Sequence, residues 1–341
     1  MLKVTRDKSV VALIFLLFLT RVQVNYLDGD IITSKNTKQK SSGSLMEQFG
    51  DYLLKINNTL ERELDLYSWS EFYSSLKYAC DGGKRIRPLI LILSSEIIKS
   101  KKNNDNIFNN INPDFSKIED KRYLAASAIE LLHTESVIHD DIIDEENVRR
   151  GKPSFYIKYG YNNSILTADF VLGIILNITS KLNNPRISSE IANAAIRMSE
   201  GEIMEIRLNK ADAITEDDYI KVLENKTASL FETSTRIGAI LAEADQEDIR
   251  AMGNFGHLMG IAYQIRDDLA DWNNEDRLFN LLMKQNNHSQ VLVKKMEGLY
   301  KTYSIKAKNE LNLVLDDIQN KYTKRLKHQL EELTNLNMLP L

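Results

Sequence analysis

Two short runs of aspartate are the residues of this chain whose spacing is best suited to chemistry. The first, DDIID, contains Asp140, Asp141 and Asp144 within a helical pattern of apolar residues. Residues four apart lie one above the other on a helix, so we expect Asp140 and Asp144 on one face with Asp141 beside them. Such close carboxylates repel one another unless cations neutralise them, and oxygen-only ligands suit a hard ion such as Mg²⁺. Taken alone, the run could also be a solvated acidic face.

The same spacing recurs in DDLAD, which contains Asp267, Asp268 and Asp271, and Gln264 lies one helical step before it. A repeated pattern in two helical contexts favours a shared role over two unrelated acidic faces. Two helices that face each other across a bundle would place all of these carboxylates around one cavity. That arrangement could hold several Mg²⁺ ions with a diphosphate between them.

A basic segment lies well before the first aspartate run. Residues 82–88 read GGKRIRP, so two glycines are followed at once by cations, including Lys84 and Arg87. The glycines permit a tight turn or the close approach of a ligand to the backbone. The segment is either a loop with exposed charges or a pocket that binds a diphosphate without metal.

Further cationic side chains lie near the aspartates. Arg149 and Arg150 follow the first run, and guanidinium groups match the geometry of phosphate oxygens, although a surface ion pair is the alternative. His133 lies two turns before the aspartates, where it is either a core histidine or a phosphate contact. Lys226 and Thr227 add a cation and a hydroxyl that carry no weight by themselves.

The elements that must position these residues are predicted to be helices almost throughout. Apolar residues recur at steps of three and four from Met46 onward, strand signals are weak, and the chain has only 5 Pro and 14 Gly among 341 residues. We therefore expect one all-α domain, residues 46–341, packed as a bundle. Polar breaks at residues 101–113 and 286–289 predict loops between helices.

Composition excludes several classes of function. The net charge of −4 argues against a general nucleic-acid binder, so no nucleic-acid partner is expected. The single Cys80 rules out an internal disulfide framework and a cysteine-based metal site, and it fits a reducing, cytoplasmic location.

The first 45 residues are predicted to be an extension that the fold does not need. Val10–Leu19 is a ten-residue apolar run preceded by three cationic residues, and it is too short to span a bilayer. It resembles a secretory signal, but no small-residue cleavage site follows. The extension is interpreted either as a weak membrane anchor or as a start site assigned too early.

The order of these segments resembles one family. GGKRIRP, HDDIID followed by RRGKP, KTASLF and YQIRDDLAD occur in the order typical of trans-isoprenyl diphosphate synthases, and the resemblance covers roughly residues 50 to 275. It implies an all-helical bundle around a deep cavity, usually a homodimer. It also implies a Mg²⁺-dependent condensation of isopentenyl diphosphate with an allylic diphosphate such as dimethylallyl, geranyl or farnesyl diphosphate.

The resemblance also implies a role for each matching residue. Asp140 and Asp144, assisted by Asp141, would bind Mg²⁺ from one side. The second run would hold a further Mg²⁺ through Asp267, Asp268 and Asp271. The remaining residues would contact the substrates: for the allylic diphosphate Arg149, Lys226, Thr227 and Gln264, and for isopentenyl diphosphate Lys84, Arg87, His133 and Arg150.

The sequence departs from the family pattern at two places. Gly201 and Glu202 stand where the family often has Gly-Gln, which adds an acid near the metals. The family usually has a Gly-Lys-rich loop after the second aspartate run, whereas residues 272–278 here have none, with Arg277 as the nearest basic residue. We expect this loss to reduce catalytic efficiency.

Product length and function class remain open at this point. The cavity floor of the family lies about one turn before the first aspartate, at Glu135 and Ser136 here, and small Ser136 favours a twenty-carbon product, geranylgeranyl diphosphate. Farnesyl and longer products are the alternatives. A class I terpene cyclase, a regulatory subunit of a heteromeric synthase and a membrane-tethered scaffold are the competing functions.

Overall fold

The computed structural model describes residues 48–102, 121–270, 278–285, 290–315 and 321–334. Within these ranges the chain is helical apart from short connections and one two-stranded hairpin. The prediction of an all-α fold is therefore confirmed. The amino-terminal extension, most of the first predicted loop and the second predicted loop lie outside the described residues. The first loop begins later than predicted, because the helix before it continues to Lys102.

The first half of the bundle contains seven helices and the hairpin. Its elements are α1 (Gly50–Asp65), α2 (Tyr73–Cys80), α3 (Ile86–Lys102), α4 (Lys121–Ile143), β1 (Val148–Arg149), β2 (Lys152–Pro153), α5 (Phe155–Tyr159), α6 (Tyr161–Leu182) and α7 (Pro185–Leu208).

The second half contains one π-helical turn among its described helices. Its elements are α8 (Glu216–Leu223), the π turn (Glu224–Ala228), α9 (Ser229–Leu241), α10 (Gln246–Ala270), α11 (Leu278–Gln285), α12 (Gln290–Leu315) and α13 (Lys321–Thr334). A π-helical turn inserts one extra residue into a helix, and such turns frequently occur at functional sites.

The main core is built around α3, α4, α9 and α10. The run Leu89–Leu93 on α3 is fully buried, as expected for a helix surrounded by other helices on all sides. Gly238 of α9 allows the close approach of α3, since a Cβ there would lie 2.4 Å from the carbonyl oxygen of Leu91. A second, smaller core links α8, α10, α11 and α12. These two cores fix the helices that carry both aspartate runs.

One described helix has the length and composition needed to cross a membrane. This helix is α6, whose most apolar 18-residue window has a mean hydropathy of 1.6. Of that window, 44% is buried inside the protein. The core helix of a soluble protein passes the same test. The feature is therefore weak support for a membrane span.

Candidate active site

The basic GGKRIRP segment forms a tight loop between α2 and α3. Gly82 and Gly83 have φ values of +78° and +95°, a backbone conformation that residues with a side chain rarely adopt. A Cβ at Gly83 would lie 3.0 Å from a guanidinium nitrogen of Arg150. The glycines therefore form a tight turn and bring the loop backbone close to Arg150 of the hairpin.

The arginine pair after the first aspartate run forms a β-hairpin. Val148 pairs with Pro153 and Arg149 with Lys152, and the connecting residues Arg150 and Gly151 both have positive φ. Two such residues in a two-residue connection are typical of a type I′ turn. The sequence did not predict this hairpin, because its strands contain only two residues each.

A cavity of about 330 Å³ lies between the glycine loop, α4 and the hairpin. This volume falls within the range of about 300–1,000 Å³ that is typical of ligand pockets. Three segments that are distant in the sequence contribute polar groups to its wall, namely Gly82, Gly83, His133, Asp141, Arg149 and Arg150. The structure thus brings together three of the six predicted cationic residues, His133, Arg149 and Arg150.

Three predicted cationic residues, Lys84, Arg87 and Lys226, do not line this cavity. Arg87 lies deeper on α3, with its guanidinium 4.7 Å from the ring centre of Phe231, and burial lowers its pKa. The negative charges of Glu130 and Asp267 act on it in the opposite direction. Lys84 lies half-buried in the loop beside Gly83.

His133 is held neutral by its surroundings. Burial lowers its pKa well below the usual value, and the charges of Arg87, Arg150 and Arg149 act in the same direction. An imidazole among cations can still donate a hydrogen bond from its neutral form. His133 therefore adds a neutral donor to a wall that also contains Arg149 and Arg150.

The first aspartate run faces two directions. Asp141 is 2% exposed, accepts a hydrogen bond from Arg149 Nε, and lines the cavity together with His133. Asp140 instead lies 3.9 Å from Lys226 Nζ, and Asp144 follows directly after α4. His133 and Asp141 both line the cavity, whereas Asp140 does not.

Lys226 lies within a group of carboxylates. Its Nζ is 2.5 Å from Glu202, 2.7 Å from Glu205 and 3.9 Å from Asp140. Burial alone would lower its pKa, but the charges of Asp140, Glu205 and Glu202 raise it above the usual value. The lysine is therefore a permanent cation next to the first aspartate run.

Burial raises the pKa of Asp140 to about 7. Lys226 opposes this rise, whereas the neighbouring charges of Glu202 and Asp144 add to it. The pKa of Asp144 is raised as well, again mainly through burial. The acidic groups outnumber the cation between them, so this part of the site favours an additional positive charge.

The second aspartate run lies at the end of α10. Asp267 is paired with its neighbour Arg266, whose nitrogen lies 2.7 Å from Oδ1. Asp268 is 6% exposed and accepts hydrogen bonds from Tyr219 and Gln264. Asp271 and the segment 272–277, where the Gly-Lys loop is absent, lie outside the described residues.

The two aspartate-bearing helices meet at the π turn. Lys226 approaches Asp140 of α4, whereas the next residue, Thr227, donates a hydrogen bond to Gln264 Oε1 of α10 at 3.1 Å. Gln264 in turn donates to Asp268. Two adjacent residues therefore connect both acidic runs, which places the runs on a common part of the bundle.

Sequence reasoning missed several residues that support this arrangement. Arg85 and Glu130 form a buried ion pair of 2.5 Å beneath the glycine loop, and Arg85 also donates to Asn57 and to the Cys80 carbonyl. The signal available in the sequence was an arginine next to two glycines, but not its partner. Glu205 was missed because its only signal was its position one helical turn after Gly201.

The residues predicted to set product length are now located. Glu135 Oε1 lies 3.3 Å from His139 Nε2 on the same helix, and the charge of Asp169 on α6 also acts on His139. Ser136 donates a hydrogen bond back to the His133 carbonyl. The polar groups of both residues thus interact with α4 itself.

The acidic residues fit a magnesium ion whose coordination is completed by a ligand. Among the residues described, no three His, Cys, Asp or Glu side chains come together as a ready set of metal ligands. Mg²⁺ typically binds through one or two carboxylates together with water and substrate phosphates, so a full protein set is not required. Lys226 already occupies the position of a cation beside Asp140.

Comparisons with known proteins match this fold and these motifs. The family model for polyprenyl synthetase matches residues 70–325. A geranylgeranyl diphosphate synthase from Sulfolobus acidocaldarius is 32% identical over 235 residues, and the alignment covers 66% of each chain.

Solved structures show the same fold. A geranyltranstransferase from Thermotoga maritima has a TM-score of 0.65 at 26% identity, covering 84% of this chain and 98% of that chain. A polyprenyl synthase from Caulobacter crescentus, complexed with calcium and isoprenyl diphosphate, has a TM-score of 0.66 at 18% identity, covering 87% and 98%. The chain therefore belongs to the polyprenyl synthetase family of prenyl-transferring enzymes.

Proposed function

We propose that this chain is a trans-prenyltransferase that joins isopentenyl diphosphate to an allylic diphosphate in a Mg²⁺-dependent reaction. The observation that carries the proposal is the meeting of both aspartate-bearing helices at Lys226 and Thr227. A solvated acidic face on one helix would not require the other aspartate-bearing helix to contact the next residue of the same turn. The family membership supports the same reaction class.

The cavity beside the glycine loop is proposed to bind isopentenyl diphosphate. The acids in its wall are already paired, Glu130 with Arg85 and Asp141 with Arg149, so they do not require a metal. Arg150 and the neutral His133 remain to contact diphosphate oxygens from two sides. This division leaves Asp140, Asp144 and Asp267 for the metal-dependent half of the site.

The allylic diphosphate is proposed to bind between the two aspartate runs. Mg²⁺, held by Asp140, Asp144 and Asp267, would supply the positive charge that stabilises a departing diphosphate. Lys226 adds a permanent cation beside the leaving group, and Thr227 and Gln264 donate or accept hydrogen bonds next to it. Arg149 connects this half to the other through Asp141.

Carbon–carbon bond formation then needs no protein nucleophile. The alkene of isopentenyl diphosphate attacks the allylic cation, and the released diphosphate accepts the proton that is lost. The protein holds both diphosphates and excludes water from the cation. Asp141 keeps the hairpin against α4 while this occurs.

A purified-protein assay tests this proposal. Labelled isopentenyl diphosphate is incubated with Mg²⁺ and with allylic primers of several lengths, and the products are separated by chain length. We expect elongation only when both substrates are present, and we expect Asp140→Ala to abolish it. Asp212→Ala, which removes an exposed acid outside the site, is the matched control.

The same assay separates the competing functions. A class I terpene cyclase would convert the allylic primer without isopentenyl diphosphate. A regulatory subunit would show no turnover alone and would require a partner chain. A membrane-tethered scaffold would show no turnover under any of these conditions.

We propose a twenty-carbon product, geranylgeranyl diphosphate. Ser136 is small, and the Glu135 carboxylate interacts with His139, so neither residue provides a bulky apolar wall near the first aspartate run. The relative from Sulfolobus acidocaldarius, a geranylgeranyl diphosphate synthase, supports this length. A main product of fifteen carbons or of more than twenty would refute this part of the proposal.

We propose that the active form is a homodimer. Helices α6 and α7 expose large apolar side chains that a monomer would leave in water, including Leu172, Leu176, Ile196 and Ile203. A second copy that packs against these helices would bury them. Light scattering should then give twice the chain mass of 39.1 kDa.

We also propose a cytoplasmic location with peripheral membrane association through the first 45 residues. The support is the apolar run Val10–Leu19 in the sequence. Fractionation of cells that express the chain with and without residues 1–45 tests this, because only the longer form should reach the membrane pellet.

A further inference from the structure

Both oxygens of the Asp268 carboxylate accept hydrogen bonds from neutral groups. Tyr219 OH donates to Oδ2 at 2.6 Å, and Gln264 Nε2 donates to Oδ1 at 2.9 Å. The side chains lie in the interior, with Asp268 6% and Tyr219 1% exposed. Hydrogen bonds to a charged acceptor are stronger than those between neutral groups, so these two bonds hold the carboxylate in a defined orientation.

The adjacent aspartate is bound differently. Asp267 is paired with the cation of Arg266, whereas Asp268 accepts hydrogen bonds from a tyrosine hydroxyl and a side-chain amide. These two hydrogen bonds fix the orientation of the Asp268 carboxylate. This distinction between neighbouring residues of one motif was not visible in the sequence.

The hydrogen bonds continue from Asp268 to the π turn. Gln264 accepts a hydrogen bond from Thr227 Oγ1 at 3.1 Å, and Lys226 directly precedes Thr227 in the chain. A single chain of bonds thus runs from Tyr219 on α8, through Asp268 and Gln264 on α10, to the π turn. A shift at one end would displace the groups at the other.

Tyr219 is itself held firmly. Its ring packs against Phe279 with a centroid distance of 5.7 Å. The helix that carries it begins with a capping box, in which Thr215 accepts from the Asp218 backbone N–H at 3.1 Å and Asp218 accepts from that of Thr215 at 3.0 Å. A cap of this kind fixes the start of a helix. The buried ring and the capped helix therefore hold the hydroxyl next to Asp268.

We propose that Tyr219 is a positioning residue of the prenyl-transfer reaction. Its hydroxyl orients Asp268 and, through Gln264 and Thr227, the π turn that carries Lys226. The consequence is a preformed site for the allylic diphosphate and its cations. This inference rests on the proposed function and assigns to that site a residue that is one step removed from the substrate.

The test compares two variants that each lose one buried tyrosine hydroxyl. Tyr219→Phe removes the donor to Asp268, and Tyr52→Phe removes a hydroxyl that interacts with Tyr322 in the distant core. Affinity for geranyl thiolodiphosphate, an analogue that does not ionise readily, is measured by calorimetry with excess Mg²⁺ and without isopentenyl diphosphate. We expect about tenfold weaker binding for Tyr219→Phe, given the strength of hydrogen bonds to charged groups. Tyr52→Phe should bind like the wild type.

A double-mutant cycle distinguishes positioning from a general loss of stability. If Tyr219 acts through Asp268, then Tyr219→Phe has no further effect on affinity in an Asp268→Ala background, which lacks both acceptor oxygens. Gln264→Met is a second background that breaks the bonded path to Thr227, so the effect of Tyr219→Phe should be smaller there than in the wild type. Thermal unfolding of all variants monitors stability separately from affinity.

The inference is overturned if Tyr219→Phe binds the analogue like the wild type, or if its effect adds in full to that of Asp268→Ala. Wild-type elongation together with either result would leave the proposed function intact. Conversely, a wild type that binds the analogue but makes no product would refute the function, while the cycle would still decide the role of Tyr219.

Discussion

Replacing Gly201 with alanine tests the close contact between α7 and the π turn that carries Lys226. Gly201 is buried on α7, directly opposite the π turn. A Cβ there would lie 2.4 Å from the Lys226 backbone nitrogen, 2.8 Å from its Cα and 2.9 Å from its Cβ. These atoms cannot rotate away, so the π turn must move.

The expected magnitude follows from two opposing effects. Alanine in a helix interior is favoured over glycine by about 1 kcal/mol. Forcing an extra methyl group into a close-packed contact costs about 1–3 kcal/mol. The free energy of unfolding of Gly201→Ala should therefore equal that of the wild type or fall by up to about 2 kcal/mol.

Gly298→Ala on α12 is the matched control. No atom lies within 4 Å of a Cβ built at Gly298, so only the helix preference acts. This variant should be more stable than the wild type by up to about 1 kcal/mol. Urea unfolding of both variants measures the difference between them.

The functional readout is the KM for the allylic primer. Because the π turn carries Lys226 and Thr227, we expect Gly201→Ala to raise that KM about tenfold, the effect of losing one charge-assisted contact. The KM for isopentenyl diphosphate should change little, since its proposed cavity lies beside the glycine loop. A Gly201→Ala protein as stable as Gly298→Ala, with an unchanged primer KM, would refute the close contact between α7 and the π turn.

Two further predictions concern stability. Glu130→Ala leaves the Arg85 guanidinium, which is 9% exposed, without its carboxylate partner. Breaking a buried ion pair in this way should reduce the free energy of unfolding by about 3–5 kcal/mol. A change below about 1 kcal/mol in urea unfolding would contradict this prediction. For Asp140, the folded-state pKa of about 7 lies above the usual 3.8. The free energy of unfolding of the metal-free protein should therefore fall as pH rises between these values, and added Mg²⁺ should reduce the loss. A melting temperature that rises from about pH 4 to about pH 8 would contradict this prediction.

The sequence determined the helical class and the main motifs because these depend on local order. The apolar steps of three and four fix helices, and the spacing of Asp140 and Asp144 places both on successive turns whatever surrounds them. The two glycines of the GGKRIRP loop likewise require a turn that any neighbour must accept. These features were correct before any packing was known.

Tertiary structure decided which side chains meet. Nothing in the local pattern distinguishes Asp140, beside Lys226, from Asp141, which bonds Arg149, because adjacent residues on a helix point in different directions and only the neighbouring elements give those directions a meaning. The partner of Asp268 is Tyr219, on a helix that the sequence does not link to it. Contacts between residues far apart in the chain depend on how buried helices pack, and that packing is a property of the whole core rather than of any one segment.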